Sequence, residues 1–296
     1  MASCRSTRIK RSLFVWIRIA VLLGAGFLLG STKVLSTDTQ TSEVKGVAQR
    51  PFFDSLCYSK DLPIENLNAE KEFRPDWYQK KASNVEDRTY LLPFLLADRV
   101  NTAAYTRRIF IDLGAHSIET SVIWFLSYYP VDWDEMYAFE VEKDFDGYWK
   151  EENDVWIANQ TLKHDWRLQR YLPPLALTGT EKEIGARIRL KLKSIVGFVD
   201  LVDLPAKDSA PMHINITRFL RDELNISKSD FVVIKHDIEG MEWSTIPSWL
   251  QDGTIDLIDE IFVEIHYGED EKHSRSEAMA LLMAMRDRCV FAHYWP

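Results

Sequence analysis

The chain has 296 residues, 46% hydrophobic and 27% charged, with a net charge of −9. That is room for one large α/β domain with extra segments, and the composition is that of a globular protein rather than a disordered or fibrous one. The first 33 residues carry six basic side chains and no acid, so the remainder carries −15, and so acidic a body excludes a nucleic-acid backbone as partner.

The basic residues Arg5, Arg8, Lys10 and Arg11 precede an apolar run from Leu13 to Gly30 whose only charge is Arg18. At about 1.5 Å per residue, eighteen helical residues nearly cross a hydrocarbon core of roughly 30 Å. The positive flank fixes the orientation, so 1–12 reads as a cytosolic basic tail and 13–30 as a transmembrane signal-anchor. The body then lies in the lumen of the Golgi or endoplasmic reticulum as a single-pass type II membrane protein. A cleaved signal peptide is the alternative, because the uninterrupted apolar part is short, from Ile19 to Gly30. Residues 31–50 are rich in Ser, Thr and Gln and read as a flexible stem. Sequons at Asn159, Asn215 and Asn225 agree with a luminal body. Cys57 and Cys289 would share that oxidising space, either paired or as buried thiols.

Residues 51–105 read as an N-terminal helical cover, with a helix expected over 85–100 and kinked at Pro93. From 106 to 296 strands and helices alternate. Arg108–Leu113 is a strand, Ser117–Tyr129 a helix with one apolar face, and Met136–Phe139 a strand. A helix is expected over Asp144–Asn153 and a short strand over Val155–Ile157. Ala186–Lys193 alternates apolar and polar, as a half-exposed antiparallel strand does, with Ile195–Val202 as its partner. A short helix over Thr217–Leu224 leads to a buried strand, Phe231–Ile234, and a helix begins at Met241. Ile258–Ile265 is a strand, Ser274–Arg288 a helix and Val290–Trp295 a last strand. Such alternation implies βαβ units and a mainly parallel sheet.

Four apolar runs end on carboxylates: Asp112, Glu140, Asp237 and Glu264. In a parallel sheet all four gather at the carboxyl edge, where open α/β sheets bind ligands. After Asp112, Gly114 alone opens the turn to the next helix, so the phosphate-cradling G-x-G-x-x-G is absent and a nucleoside ligand without phosphates fits better. Glu140, ending the next strand, stands where a ribose-binding acid belongs. Lys235, His236, Asp237, Glu239 and Glu242 crowd the passage from the Phe231 strand to the Met241 helix. Proton removal from an acceptor needs a base, and His266 and Asp237 are the candidates. No Cys/His cluster suggests a metal, and Asp237 with Glu239 is a weak pair for one.

Ile111-Asp-Leu-Gly-Ala115, Tyr137-Ala-Phe-Glu140 and Ile234-Lys-His-Asp-Ile-Glu-Gly-Met-Glu242 resemble the signature segments of FkbM-like S-adenosylmethionine-dependent methyltransferases. The stretches 257–267 and 290–295 resemble an uncharacterised, membrane-anchored plant branch of that family. The resemblance implies a class I methyltransferase fold: a mostly parallel seven-stranded sheet, helices on both faces and an antiparallel last strand. It implies S-adenosyl-L-methionine as cofactor, with Asp112, Gly114, Ala115 and His116 at its methionine side and Glu140 on its ribose. Lys235, Asp237, Glu239 and His266 would then face the transferred methyl group. The chain departs from the family at Ile118, where many members have glycine, and at His116, where many have asparagine. The acceptor would be a hydroxyl on a luminal glycan or small molecule. Two other readings remain: a luminal glycosyltransferase using the D-x-D at Asp144–Asp146 or Asp132–Asp134, and a non-catalytic protein that keeps the fold.

Overall fold

The computed structural model describes residues 64, 94–142, 145, 149–163, 179–208, 210–267 and 272–295. The tail, the span at 13–30, the stem, most of the cover and the D-x-D at Asp144–Asp146 lie outside them. Among the described residues no helix is long and apolar enough to cross a membrane.

Six parallel strands form the central sheet, in the order β3-β2-β1-β6-β7-β8. They are β1 (Arg108–Leu113), β2 (Glu135–Glu140), β3 (Leu192–Val196), β6 (Phe231–His236), β7 (Glu260–Val263) and β8 (Phe291–Tyr294). β4 (Phe198–Asp200) and β5 (His213–Asn215) make a small separate parallel pair. The helices are α1 (Ser121–Ser127), α2 (Asp154–Lys163), α3 (Glu181–Arg189), α4 (Ile216–Arg218), α5 (Glu242–Asp252) and α6 (Arg275–Asp287). α4 runs on into a π-helical turn over Phe219–Glu223.

Strand side chains alternate between two faces, and both faces are apolar because both are covered. Ile109, Ile111, Val232, Ile234, Ile261 and Val263 point one way, onto Ile246 and Trp249 of α5 and Leu282 and Met285 of α6. Phe110, Met136, Val233 and Phe262 point the other way, onto Val122, Trp124 and Phe125 of α1. The described end of the cover joins this second layer: Leu95 and Leu96 are fully buried there, and its regular structure is limited to short 3₁₀ turns at Leu96–Asp98 and Thr102–Ala104. The part of the expected 85–100 helix before residue 94 lies outside the described residues.

Several expectations are corrected. The described sheet has six strands rather than seven, and its last strand is parallel. β8 is reached from β7 through α6, and a helical crossover returns the chain in the same direction. Val155–Ile157 belongs to α2, where Ile157 and Ala158 face Ile184 and Ile188 of α3. The Asp144–Asn153 helix is, where described, a 3₁₀ turn at Glu151–Asn153 that feeds α2. Ala186–Arg189 is also helical, the end of α3, and the expected antiparallel pair of 186–193 with 195–202 is not formed: Leu192–Val196 is one strand, paired parallel with β2, and Phe198–Asp200 pairs parallel with β5. Helix α1 starts at Ser121, four residues later than expected, because the chain first makes a turn closed by Thr120 N donating to the Ser117 carbonyl at 3.2 Å.

The strand order reverses at β1. The chain moves outward through β2 and β3 on one side and through β6, β7 and β8 on the other. A crevice opens at such a switch point, above the carboxyl ends of the strands. The architecture is that of a Rossmann-like, open α/β sheet.

Candidate functional site

A cleft of about 760 Å³ lies at that edge, within the range of roughly 300–1,000 Å³ typical of small-molecule sites. Gly114, His116 and Ser121 line it from the β1 side, Glu140 from β2, and Lys235, Asp237 and Glu239 from β6. Glu264 after β7, Phe198 of β4 and Trp295 complete the wall.

Gly114 directly follows β1 and lies against the backbone of Asp237, which directly follows β6. Its φ is +82°, and a Cβ there would lie 1.8 Å from the carbonyl oxygen of Asp237, so only glycine fits. Gly114 and Ala115 donate their N–H groups to the carbonyl of Phe139, at 3.1 and 3.0 Å, which ties the turn to β2. Glu140 finishes the tie: it accepts His116 N and Val141 N, both at 2.7 Å, and Glu142 N at 3.2 Å. A carboxylate offers about four acceptor positions, so these three donors leave one on a residue that lines the cleft.

Asp112 is fully buried and does not line the cleft; nor does Ala115, which packs in the core with Ile118. Ile118 is itself fully enclosed there, a position a glycine would leave hollow. Asp112 instead works behind the wall. The Ser121 hydroxyl donates to it, and the Lys235 ammonium stands 3.4 Å from its Oδ1. Lys235 also donates to the Gly114 carbonyl at 2.5 Å and pairs with Asp237 Oδ2 at 2.9 Å. Burial acts to lower the Lys235 pKa, but Asp112 and Asp237 outweigh it and hold the pKa above its ordinary value. Burial pushes the Asp112 carboxyl up, with Lys235 pulling the other way. One cation thus locks together the ends of β1 and β6 and holds Asp237 at the floor of the cleft.

The second cluster lies between β6 and β7. Burial opposes the charge of Asp237, but Lys235 outweighs it and keeps the carboxyl below the usual range. Glu264 is the reverse case: burial and the nearby Asp237 charge push it up to about 7. His266 Nδ1 lies 3.0 Å from Glu242 Oε1, which also accepts the backbone N of His266 at 2.7 Å. Its Nε2 faces Glu239 at 3.5 Å and Glu264 at 3.9 Å. The Glu242 hydrogen bond leads in raising the imidazole to about 9, against the pull of burial. His266 is not among the residues lining the cleft; it stands just behind Glu264, with Nδ1 taken by Glu242 and Nε2 turned toward Glu239 and Glu264. Glu239 adopts φ +38°, followed by Gly240 at +93°, and its side chain is 91% exposed at the cleft rim.

The strand-end acids, Glu264 among them, and Lys235 stand out in the sequence, whereas Glu242 and Ser121 are assigned no role by it. Glu242 and Glu264 were visible as acids beside strand ends; Ser121 gave no signal. His236 turns inward, its Nε2 2.7 Å from Thr245 Oγ1, and burial lowers it to about 4. Of the two D-x-D pairs, the described one is structural: Asp134 grips Arg108 at 2.6–2.8 Å, and Trp133 between the acids is buried. No family model, curated protein or solved structure matches the chain.

Proposed function

We propose that the chain is an S-adenosylmethionine-dependent methyltransferase of the FkbM-like kind, acting on a hydroxyl. One observation carries the reading most. At the switch point of a parallel sheet, a single glycine turn pressed against Asp237 adjoins an open acceptor position on Glu140. That pairing suits an adenosine ligand with ribose hydroxyls and no phosphates. The residues fit the cofactor: the Gly114 turn keeps the cleft floor clear, and Glu140 is rigidly aimed by three backbone N–H groups.

When bound, the cofactor supplies an electrophilic methyl group. An acceptor hydroxyl that took up this methyl group would have to lose its proton to a group of the chain. Asp237 and Glu264, the carboxylates lining the cleft between β6 and β7, are positioned to receive it. Lys235 keeps Asp237 in place, and Glu242 keeps His266 in place, so the acceptor meets a rigid wall.

The same reading puts the body in the secretory lumen behind an anchor at 13–30, with a glycan or small-molecule hydroxyl as acceptor. Cys289 supports it by taking part in a disulfide, as an oxidising compartment permits; Cys4 and Cys57 lie outside the described residues. Calorimetry of the purified chain with S-adenosylmethionine, S-adenosylhomocysteine and UDP-sugars tests the function. Micromolar binding of S-adenosylhomocysteine is expected. UDP-sugar binding, or no binding of either adenosyl ligand, overturns the reading.

A further inference from the structure

We propose that Asp237, Glu264 and His266 form a site for a divalent cation of the manganese class, at the β6–β7 end of the cleft. Each offers one ligand atom, and the three atoms lie within 4.8 Å of one another. Ligands at about 2.1 Å from an ion lie roughly 3–4 Å apart, so small rotations of three partly exposed side chains close the set. Nothing in the sequence order announces it, because the three residues come from the ends of two different strands.

The cluster is more than a crowd of acids. His266 is held as metal-bound histidines are held, with one ring nitrogen fixed by a carboxylate so that the other points at the ion. Glu242 does the fixing from a fully buried position, gripping both the ring and the backbone of His266. Its second oxygen, Oε2, is buried without a hydrogen-bond partner, so the side chain is committed to this one task. Trp243 adds a further tie, donating its indole N–H to the His266 carbonyl at 2.8 Å. Nε2 is left facing carboxylates, and an ion bound there displaces its proton, as metal binding to histidine requires. Lys235 pairs with one oxygen of Asp237, and the hydrogen bond that the Asp237 and Glu264 carboxyls share brings both side chains to one point, where an ion would replace the shared proton.

The donor set selects the cation class. Calcium prefers six to eight oxygens, and structural zinc a closed tetrahedron of Cys and His. Two carboxylates and one imidazole suit a six-coordinate ion such as Mn²⁺, with positions left over for oxygens of a molecule in the cleft. An ion there polarises an acceptor hydroxyl and fixes its direction. Formation of the site does not depend on the methyl-donor reading, so Mn²⁺ alone is the probe.

The test is a titration of Mn²⁺ into the purified full chain, read as loss of the free-ion signal in electron paramagnetic resonance. One tightly held ion per chain is expected. Glu264→Gln and His266→Ala should each weaken it at least tenfold, while Glu151→Gln, an exposed acid far from the cleft, should change nothing. Circular dichroism checks that the variants fold; if His266→Ala does not, the conservative Glu264→Gln decides. Absence of stoichiometric binding, or binding that Glu264→Gln leaves intact, overturns the site. Adenosyl-ligand calorimetry on metal-free protein stands apart, so either proposal can fail without the other.

Discussion

Lys235 is the residue on which the cleft floor turns. It is buried, and its three partners come from three places: a β1 carboxylate, the Gly114 carbonyl and the acid after β6. Removing one member of a buried ionic group leaves the others uncompensated, at about 3–5 kcal/mol. Lys235→Met should therefore lower unfolding stability by that order in denaturant titration, and Asp112→Asn should restore part of it in the double variant. Additive losses would show that the two groups do not interact. Glu140 makes a sharper functional test, since its carboxylate both shapes the turn and keeps one acceptor position open. Glu140→Ala should weaken S-adenosylhomocysteine binding more than tenfold; unchanged affinity would remove Glu140 from the site. The ionic residues themselves were legible as acids and a lysine beside apolar runs. Their division of labour was not. Asp112 looked like a cofactor ligand but is sealed behind the wall, because its side chain points into the α1 layer, where Ser121 and Lys235 receive it.

Elements were legible where both faces are buried and misread where one is exposed. β1, β6 and β7 are short, continuous apolar runs, and a run of that length and composition reads as a buried strand. α3 deceived because Arg-Ile-Arg-Leu-Lys-Leu-Lys spans a helix end and a strand start, and period 2 across the junction mimics one strand. The correct signal lay upstream. Thr180 and Glu183 form a capping box: Glu183 N donates to Thr180 Oγ1 at 3.3 Å, and Thr180 N donates to Glu183 at 2.7 Å. Thr180→Ala should lower Tm by about 2–4 °C through loss of the cap, with the fold unchanged by circular dichroism. The strands have their own clasp at the opposite edge of the sheet. Arg107, just before β1, grips Asp230, just before β6, at 3.1 and 2.9 Å. Burial opposes that carboxylate, yet Arg107 and Ser227 outweigh it and hold it below its ordinary 3.8. A lowered folded pKa stabilises in full above the unfolded value and loses that contribution as pH falls through the folded one. Asp230→Asn should thus be less stable than the parent at neutral pH, and the gap should narrow as pH drops below 3.8. A gap constant down to pH 2 would count against the ion pair as its cause.

At the scale of the molecule, the parallel sheet and its functional edge followed from alternation of strands and helices. The parallel β8 did not, since nothing in an isolated run from Val290 to Trp295 reports its direction; the crossover through α6 decides it. The luminal placement likewise comes from sequence, and the folded surface gives it a test. The three sequons are not equivalent once folded. Asn215 is the N-cap of α4: its Oδ1 accepts Arg218 N at 3.0 Å and its Nδ2 donates to Leu201 O at 2.8 Å. A sugar on that nitrogen would press on the loop after β4 and disturb the cap. Asn159, on the outer side of α2, and Asn225, in a turn at φ +46°, are both exposed and leave a bulky glycan in solvent. In a secretory host, the chain should carry at most two N-glycans. Glycosidase treatment should shift its mass, Asn225→Gln and Asn159→Gln together should abolish the shift, and Asn215→Gln should leave it in place while lowering Tm. A glycan mapped to Asn215 would contradict the folded geometry as the determinant. A full-length chain with no glycan at any of the three would sink the luminal placement, and with it the case for a glycan hydroxyl as acceptor.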